Sequence, residues 1–385
     1  MAKSAQYVRG RRDMVRASEG AAWVASMTAR DPTRRLRIVF ISQAVDRDDP
    51  VLPHTVRWIE ALAAKPAVDH TAVLALRTGR YDLPSNVDVF RFGRSNRLAT
   101  LAAFYRGVVR SLRRKPDVFF VHQGGPYPLL LLPIKVVSRI PIVQWKAHRV
   151  INRAMAFYAR RCDDMIFTAT RGSFPMGVSK VRIVGHGIDT QAFRSEAVAP
   201  LGDLIAVGRI APIKRVEQMV RAVEHANRTY GTEYRLNIYG PTTPGNEAYA
   251  AEIEALVDRL GARSRVALHG PVHHEQLPRL FNGHRVCLSF GRTGIDKAAL
   301  EAMACGLPVI STHDSVAEII PSALGPLLIT DRESTEAQAG TIHELLRQPD
   351  AEIARLGERM RAVVVADHTV DQLFDRILED VRTLV

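Results

Sequence analysis

Residues 286–312 read VCLSFGRTGIDKAALEAMACGLPVIST: an apolar strand, a polar loop containing glycine, a short helix with one carboxylate inside an apolar run, and a second strand. Gly306 followed by Pro308 stops the helix. Strand, helix and strand in that order are the unit of a parallel α/β sheet. Glu301 stands among Leu300, Ala302, Met303 and Ala304, so its carboxylate is expected to be half buried. A buried acceptor that finds no donor costs about 1–3 kcal/mol. The helix starts near Asp296 and Lys297, where free N–H groups and the helix dipole favour an anion. Two readings of Glu301 stay open. A ribose diol supplies its donors while a diphosphate sits at the helix start, or the carboxylate pairs with one of the chain's many arginines.

The same alternation extends in both directions. Upstream, β-rich apolar runs at 37–42, 71–76, 87–92, 118–122, 142–147, 165–170 and 181–184 alternate with helical patterns. A second series follows at 204–208, 235–240, 265–270, 286–290 and 308–312, with strands patterned for burial on both faces. The expected fold class is α/β, with two doubly wound Rossmann-like domains over residues 36–195 and 203–367, joined by the polar stretch SEAVAPLGD at 195–203. Residues 1–35 are arginine-rich and read as a mobile basic tail, with Met27 as an alternative start. Residues 368–385 read as a final helix.

With 385 residues, 46% of them hydrophobic and 24% charged, the chain is long enough for two full cores. Its three cysteines, Cys162, Cys287 and Cys305, are widely spaced in apolar contexts, which suits reduced packing residues and a cytoplasmic location. The longest apolar run, 129–134, falls far short of the roughly 20 residues of a membrane span. The net charge of +13 is uneven: residues 1–195 hold 33 basic and 14 acidic side chains, residues 196–385 hold 20 and 26. A basic first half favours an acidic acceptor, an anionic membrane surface or nucleic acid. Within it, the pattern from Ala99 to Lys115 sets Leu101, Phe104, Val108 and Leu112 against five basic residues. That stripe either lies on lipid or packs into the domain core.

In open parallel sheets, ligands bind beyond the carboxyl ends of strands. Polar residues of the second half collect there: Arg209 after LIAVG, Gly240 ending RLNIYG, Val272 after RVALHG, and the 293–297 loop after VCLSF. The chain has 45 arginines and 8 lysines, yet Lys214 and Lys297 are the only lysines after residue 195, and both occupy strand-to-helix loops. A compact ammonium suits a diphosphate.

VGRIAPIKR (207–215), HGIDTQAF (186–193) and LEAMACGLPVIST (300–312) together resemble the retaining glycosyltransferases of family 4, which have the GT-B fold; the likeness spans residues 36–385. The resemblance implies a central cleft between the two domains, with the first domain facing the acceptor. It implies that Arg209 and Lys214 hold the donor diphosphate, that Glu301 binds the ribose, and that His148 lies near the transferred sugar. It also implies that the last helix crosses back to the first domain. The expected activity is metal-independent transfer of a sugar from a UDP- or GDP-linked donor, with retention and no cofactor. The acceptor is a glycan, lipid or small molecule, and the basic first domain leaves the inner face of a membrane open as its location.

Two departures qualify this. Thr293 stands where the family usually places a second glutamate, followed by Gly294, Ile295, Asp296 and Lys297. Asp296 either takes over a sugar contact or caps the helix. In the first domain, Pro53, His54 and Thr55 replace the usual paired glycines; Thr55 is a candidate cap, and His54 an acceptor contact or a solvated loop residue. His122 and His186, at strand ends of the same half, are further acceptor-side candidates. Asp46, Asp48 and Asp49 contain an Asp-x-Asp but read as a solvated acidic loop, with no metal site. A nicotinamide dehydrogenase is disfavoured because no strand leads into a three-glycine fingerprint, and no nucleic-acid module is recognisable. The competing functions are a non-catalytic sugar-nucleotide-binding protein and a sugar-nucleotide epimerase.

Overall fold

In the computed structural model, residues 34–123, 125–292 and 296–385 are described; the residues before Arg34, with Met27, lie outside them, as do Thr293 and Gly294. The first sheet is seven-stranded and parallel, in the order β3-β2-β1-β4-β5-β6-β7. Its strands are β1 (Leu36–Val45), β2 (Val68–Thr78), β3 (Val87–Arg91), β4 (Val118–His122), β5 (Ile142–Trp145), β6 (Met165–Thr168) and β7 (Val181–Ile183). Four helices connect them: α1 (Thr55–Ala63), α2 (Arg97–Leu112), α3 (Tyr127–Ser138) and α4 (Arg153–Arg161).

The second sheet runs β10-β9-β8-β11-β12, also parallel. It contains β8 (Gly202–Val207), β9 (Leu236–Tyr239), β10 (Val266–Gly270), β11 (His284–Ser289) and β12 (Val309–Ser311). The helices around it are α5 (Val216–Tyr230), α6 (Glu247–Arg259), α7 (Leu277–Asn282), α8 (Lys297–Ala304), α9 (Asp314–Ala317), α10 (Gly325–Leu328), α11 (Thr335–Leu346) and α12 (Asp350–Asp367). The strand order reverses at β1/β4 and at β8/β11, and the crevice outside such a switch point is where doubly wound sheets bind ligands.

Two doubly wound α/β sheets were legible in the alternation of strands and helices, but local burial differs. β10 is only partly buried because it is the edge strand of its sheet, with a neighbour on one side. On α2, Phe104 and Val108 enter the core while Leu101 faces out, so the apolar stripe packs into the domain. The helix that follows β1 is preceded by His54, whose own backbone is helical, and Thr55 Oγ1 is buried with no hydrogen-bond partner among the described residues. Thr55 is therefore no cap.

The last helix, α13 (Val370–Arg382), packs on α1 of the first sheet. Thr369 caps it, accepting from Gln372 N at 3.2 Å. Trp58 and Phe374 meet edge to face at 5.6 Å, and Lys65 Nζ lies 2.8 Å from Asp375. Trp58 Nε1 donates to Gly187 O at 2.9 Å. The backbone crosses between the sheets twice, and the two crossings are hydrogen-bonded: Ile188 N donates to His368 O at 2.7 Å and Val370 N to Ile188 O at 2.9 Å.

Candidate functional site

The loops beyond β1, β8, β9 and β10 and the start of α8 enclose a cleft of about 480 Å³ between the two sheets. Its second-sheet wall holds Arg209, Lys214, Gly240, Val272, Asp296, Lys297 and Glu301; its first-sheet wall holds Asp48, Asp49 and His54. Backbone geometry brings the β8 and β9 loops together. Gly240 has φ 149°, and a Cβ there would sit 2.0 Å from Gly208 O. Gly208, at φ 153°, has the Lys214 side chain against the space its own Cβ would fill.

Lys214 and Lys297 both have internal counter-charges. Lys214 Nζ lies 2.5 Å from Asp296 Oδ2. Asp296 is also the N-cap of α8, accepting from Ala298 N, so the capping reading is what the structure displays. Burial would raise its carboxyl, but Lys214, the nearby His313 and the Ala298 N–H together hold it below the usual range. Lys297, 6.0 Å above the Phe193 ring, pairs with Glu301. His274 Nε2 is 2.8 Å from Glu301 Oε1, a donor contact that fixes the ring's Nε2–H tautomer. Burial pushes Glu301 up, yet Lys297 and His274 bring it down to about 2. Glu301 is fully buried and pairs with a lysine and a histidine, not an arginine. Arg209 is exposed and has no ion-pair partner among the described residues.

On the first-sheet wall the acidic loop is organised. Asp49 is buried, accepts from the N–H groups of Val51 and Leu52, and pairs with Arg77 at 2.9 Å. Asp48 receives two hydrogen bonds from Arg80 at 2.9 Å each. The expected solvated loop is thus a salt-bridged wall. Two contacts bridge the mouth: His273 Nδ1 to Asp48 at 3.4 Å and Arg80 to Glu275 at 3.2 Å.

The candidate histidines separate. His54 lines the cleft but is buried, and burial with the nearby Lys297 charge holds its ring well below the usual range. His122 and His186 lie beneath the cleft surface in an aromatic cluster with Trp58 and Trp145, both pushed by burial to about 3. His122 Nε2 and His186 Nδ1 have no hydrogen-bond partner among the described residues. His148 is exposed beyond β5, with Nδ1 2.9 Å from Val150 O, and does not line the cleft. Thr293 and Gly294 fall outside the described residues. His274 was missed by sequence reasoning, although the His273–His274 pair follows β10 in the same kind of strand-to-helix loop as Arg209.

Residues 202–348 match the glycosyl transferases group 1 family, over less than half of the chain. Among solved structures, Anabaena Alr3699/HepE in complex with UDP and glucose superposes with a TM-score of 0.74 at 17% identity, over 91% of this chain and 100% of that one. Sucrose-phosphate synthase from Thermosynechococcus elongatus gives 0.73 at 18%, over 91% and 99%. The fold is GT-B.

Curated relatives are more distant in coverage. D-inositol 3-phosphate glycosyltransferase of Mycobacteroides abscessus is 28% identical over 223 residues, 53% of this chain and 48% of that one. Alpha-D-kanosaminyltransferase of Streptomyces kanamyceticus is 24% identical over 297 residues, 72% of each chain. The matches span about a third to a half of the length of the D-inositol 3-phosphate glycosyltransferases.

Proposed function

We propose that this chain is a retaining glycosyltransferase that moves a sugar from a UDP- or GDP-linked donor to an acceptor hydroxyl without a metal. The observation that carries the reading is the convergence of Arg209, Lys214 and Lys297 with Glu301 and the amino end of α8 on one wall of an interdomain cleft. Rupture of the bond from sugar to diphosphate leaves negative charge on the departing oxygen, so preorganised positive charge there accelerates the step. Glu301 takes the ribose by exchanging the Lys297 and His274 contacts for hydroxyl donors, which leaves Lys297 free for phosphate.

In the front-face route, the bond from C1 to the phosphate oxygen breaks, the bond from C1 to the acceptor oxygen forms on the same face, and the acceptor proton passes to the leaving phosphate. His54, the first-sheet histidine on the cleft surface, takes the place beside the transferred sugar that His148 held in the sequence reading. The three buried free cysteines accord with a cytoplasmic location. No helix of the described residues is long and apolar enough to cross a membrane.

The counter-charges on Lys214 and Lys297 favour one second reading, a sugar-nucleotide-binding protein that does not turn over. Calorimetry with UDP, GDP and ADP sugars, followed by product analysis, separates the two. Binding with release of nucleoside diphosphate and an α-linked product from an α-linked donor supports the proposal. Binding without turnover across acceptors supports the second reading, and absence of binding to every nucleotide overturns both.

A further inference from the structure

Helices α2, α3 and α4 form one layer on the face of the first sheet opposite α1 and α13. Phe104 of α2 stacks on Tyr127 of α3 at 5.8 Å, Tyr105 Oη donates to Leu130 O at 3.0 Å, and Lys135 of α3 reaches Cys162 O at the end of α4 at 2.9 Å. Charge on this layer has one sign. From residue 89 to 162 the chain holds 15 lysines and arginines and a single acid, Asp117. That acid is consumed internally, by Arg34 and by the Arg37 backbone N–H. Arg106 and Arg110 on the outer side of α2, and Arg113 just after its end, have no ion-pair partner among the described residues.

Exposed aliphatic side chains occur on the same two helices. Leu98 is 81% exposed, Val136 73% and Val137 87%. Val109 is 53% exposed beside a depression of about 400 Å³ that Arg106, Arg110 and Arg113 also line. Exposed aliphatics set among cations bury their surface at the headgroup boundary of a bilayer while the cations meet lipid phosphate. A nucleic-acid backbone would reward the cations alone. The apolar stripe of α2 itself is spent on the core, so lipid contact falls to the opposite, mixed side of the helix.

We propose that the outer surface of α2 and α3 docks on an anionic phospholipid bilayer, with Arg106, Arg110 and Arg113 around a lipid phosphate and Leu98, Val136 and Val137 inserted at the headgroup boundary. The surface is separate from the cleft and does not depend on the proposed transferase activity.

The test is sedimentation of the full chain with phosphatidylcholine vesicles with and without about 30 mol% phosphatidylglycerol, at low and high salt. Binding is expected only to the anionic vesicles and is expected to fall steeply with salt. Arg106→Glu with Arg110→Glu and Arg113→Glu should weaken it by about 100-fold. Val136→Ser with Val137→Ser tests the aliphatic contact, with a loss of about tenfold. All five positions are exposed, and an unchanged melting temperature verifies that the variants fold. Equal binding to neutral and anionic vesicles, no loss in the arginine variant, or tighter binding to a duplex or single-stranded oligonucleotide than to anionic vesicles overturns the proposal.

Discussion

Lys214 Nζ is held 2.5 Å from Asp296 Oδ2, so the cation that follows β8 is neutralised by the residue that caps α8. A diphosphate must compete with that carboxylate. Asp296→Asn keeps a side chain that caps well and removes the charge. Affinity for a nucleoside diphosphate is expected to rise by about fivefold at low salt, an increment of about 1 kcal/mol. Titration calorimetry reads it, and weaker binding by the variant would mean that Asp296 contacts the ligand favourably.

Arg209→Ala and Lys214→Ala should each reduce kcat/KM by about 10²–10³, the range for losing one preorganised contact to a developing charge. Their effects on stability should differ. Arg209 is exposed, and its removal should leave the melting temperature unchanged. Lys214→Ala strands a buried carboxylate at Asp296, which costs about 3–5 kcal/mol in urea unfolding. Equal stability of the two variants would show that the Lys214–Asp296 pair is not held in solution.

Gly240→Ala places a methyl 2.0 Å from Gly208 O at a φ of 149°. The substitution is expected to destabilise the chain by about 1–3 kcal/mol from backbone strain alone. It should also separate the β8 and β9 loops and thereby weaken nucleotide binding. A variant with wild-type unfolding midpoint and wild-type affinity would refute the close approach.

The buried histidines set an acid limit on stability. Folded His54, His122 and His186 have depressed pKa values, so they are neutral where an unfolded imidazole gains a proton below about 6.5. Their contribution is complete above that pH and is lost as pH falls, through about 3 for His122 and His186. Each contributes a slope of about 1.4 kcal/mol per pH unit within the window. Glu301 acts lower: its stabilisation is complete above the ordinary carboxylate range and is lost as pH falls through about 2. Urea unfolding between pH 7.5 and 5 measures the slope. His122→Phe should reduce it by about one proton, and an unchanged slope would place the titration elsewhere.

Alternating apolar runs carried the fold because a parallel strand buried on both faces is a short continuous apolar segment, as β1, β4, β5, β6, β11 and β12 are; β3, β7 and β10 are less buried. Arg209, Lys214, Asp296, Lys297 and Glu301 line one cleft because each follows the carboxyl end of a strand or begins the helix after it. The pairings of Glu301 with His274 and of Lys214 with Asp296 were not readable. His274 meets Glu301 and Lys214 meets Asp296 across 27 and 82 residues, and such separations leave no local pattern. His122 and His186 looked like site residues because they end apolar runs. Burial depth, which one-dimensional spacing does not encode, sets them below the cleft surface among aromatic rings.

The paired crossings at Ile188 and at His368–Val370 give the molecule a mechanical character. Two covalent straps lying side by side define a line, and rotation about that line is the softest way for the lobes to move. Sliding one strap past the other would break the hydrogen bonds that Ile188 makes with His368 and Val370. His54 and Glu301 stand on opposite walls of the cleft, so a turn about that line would change the gap between them.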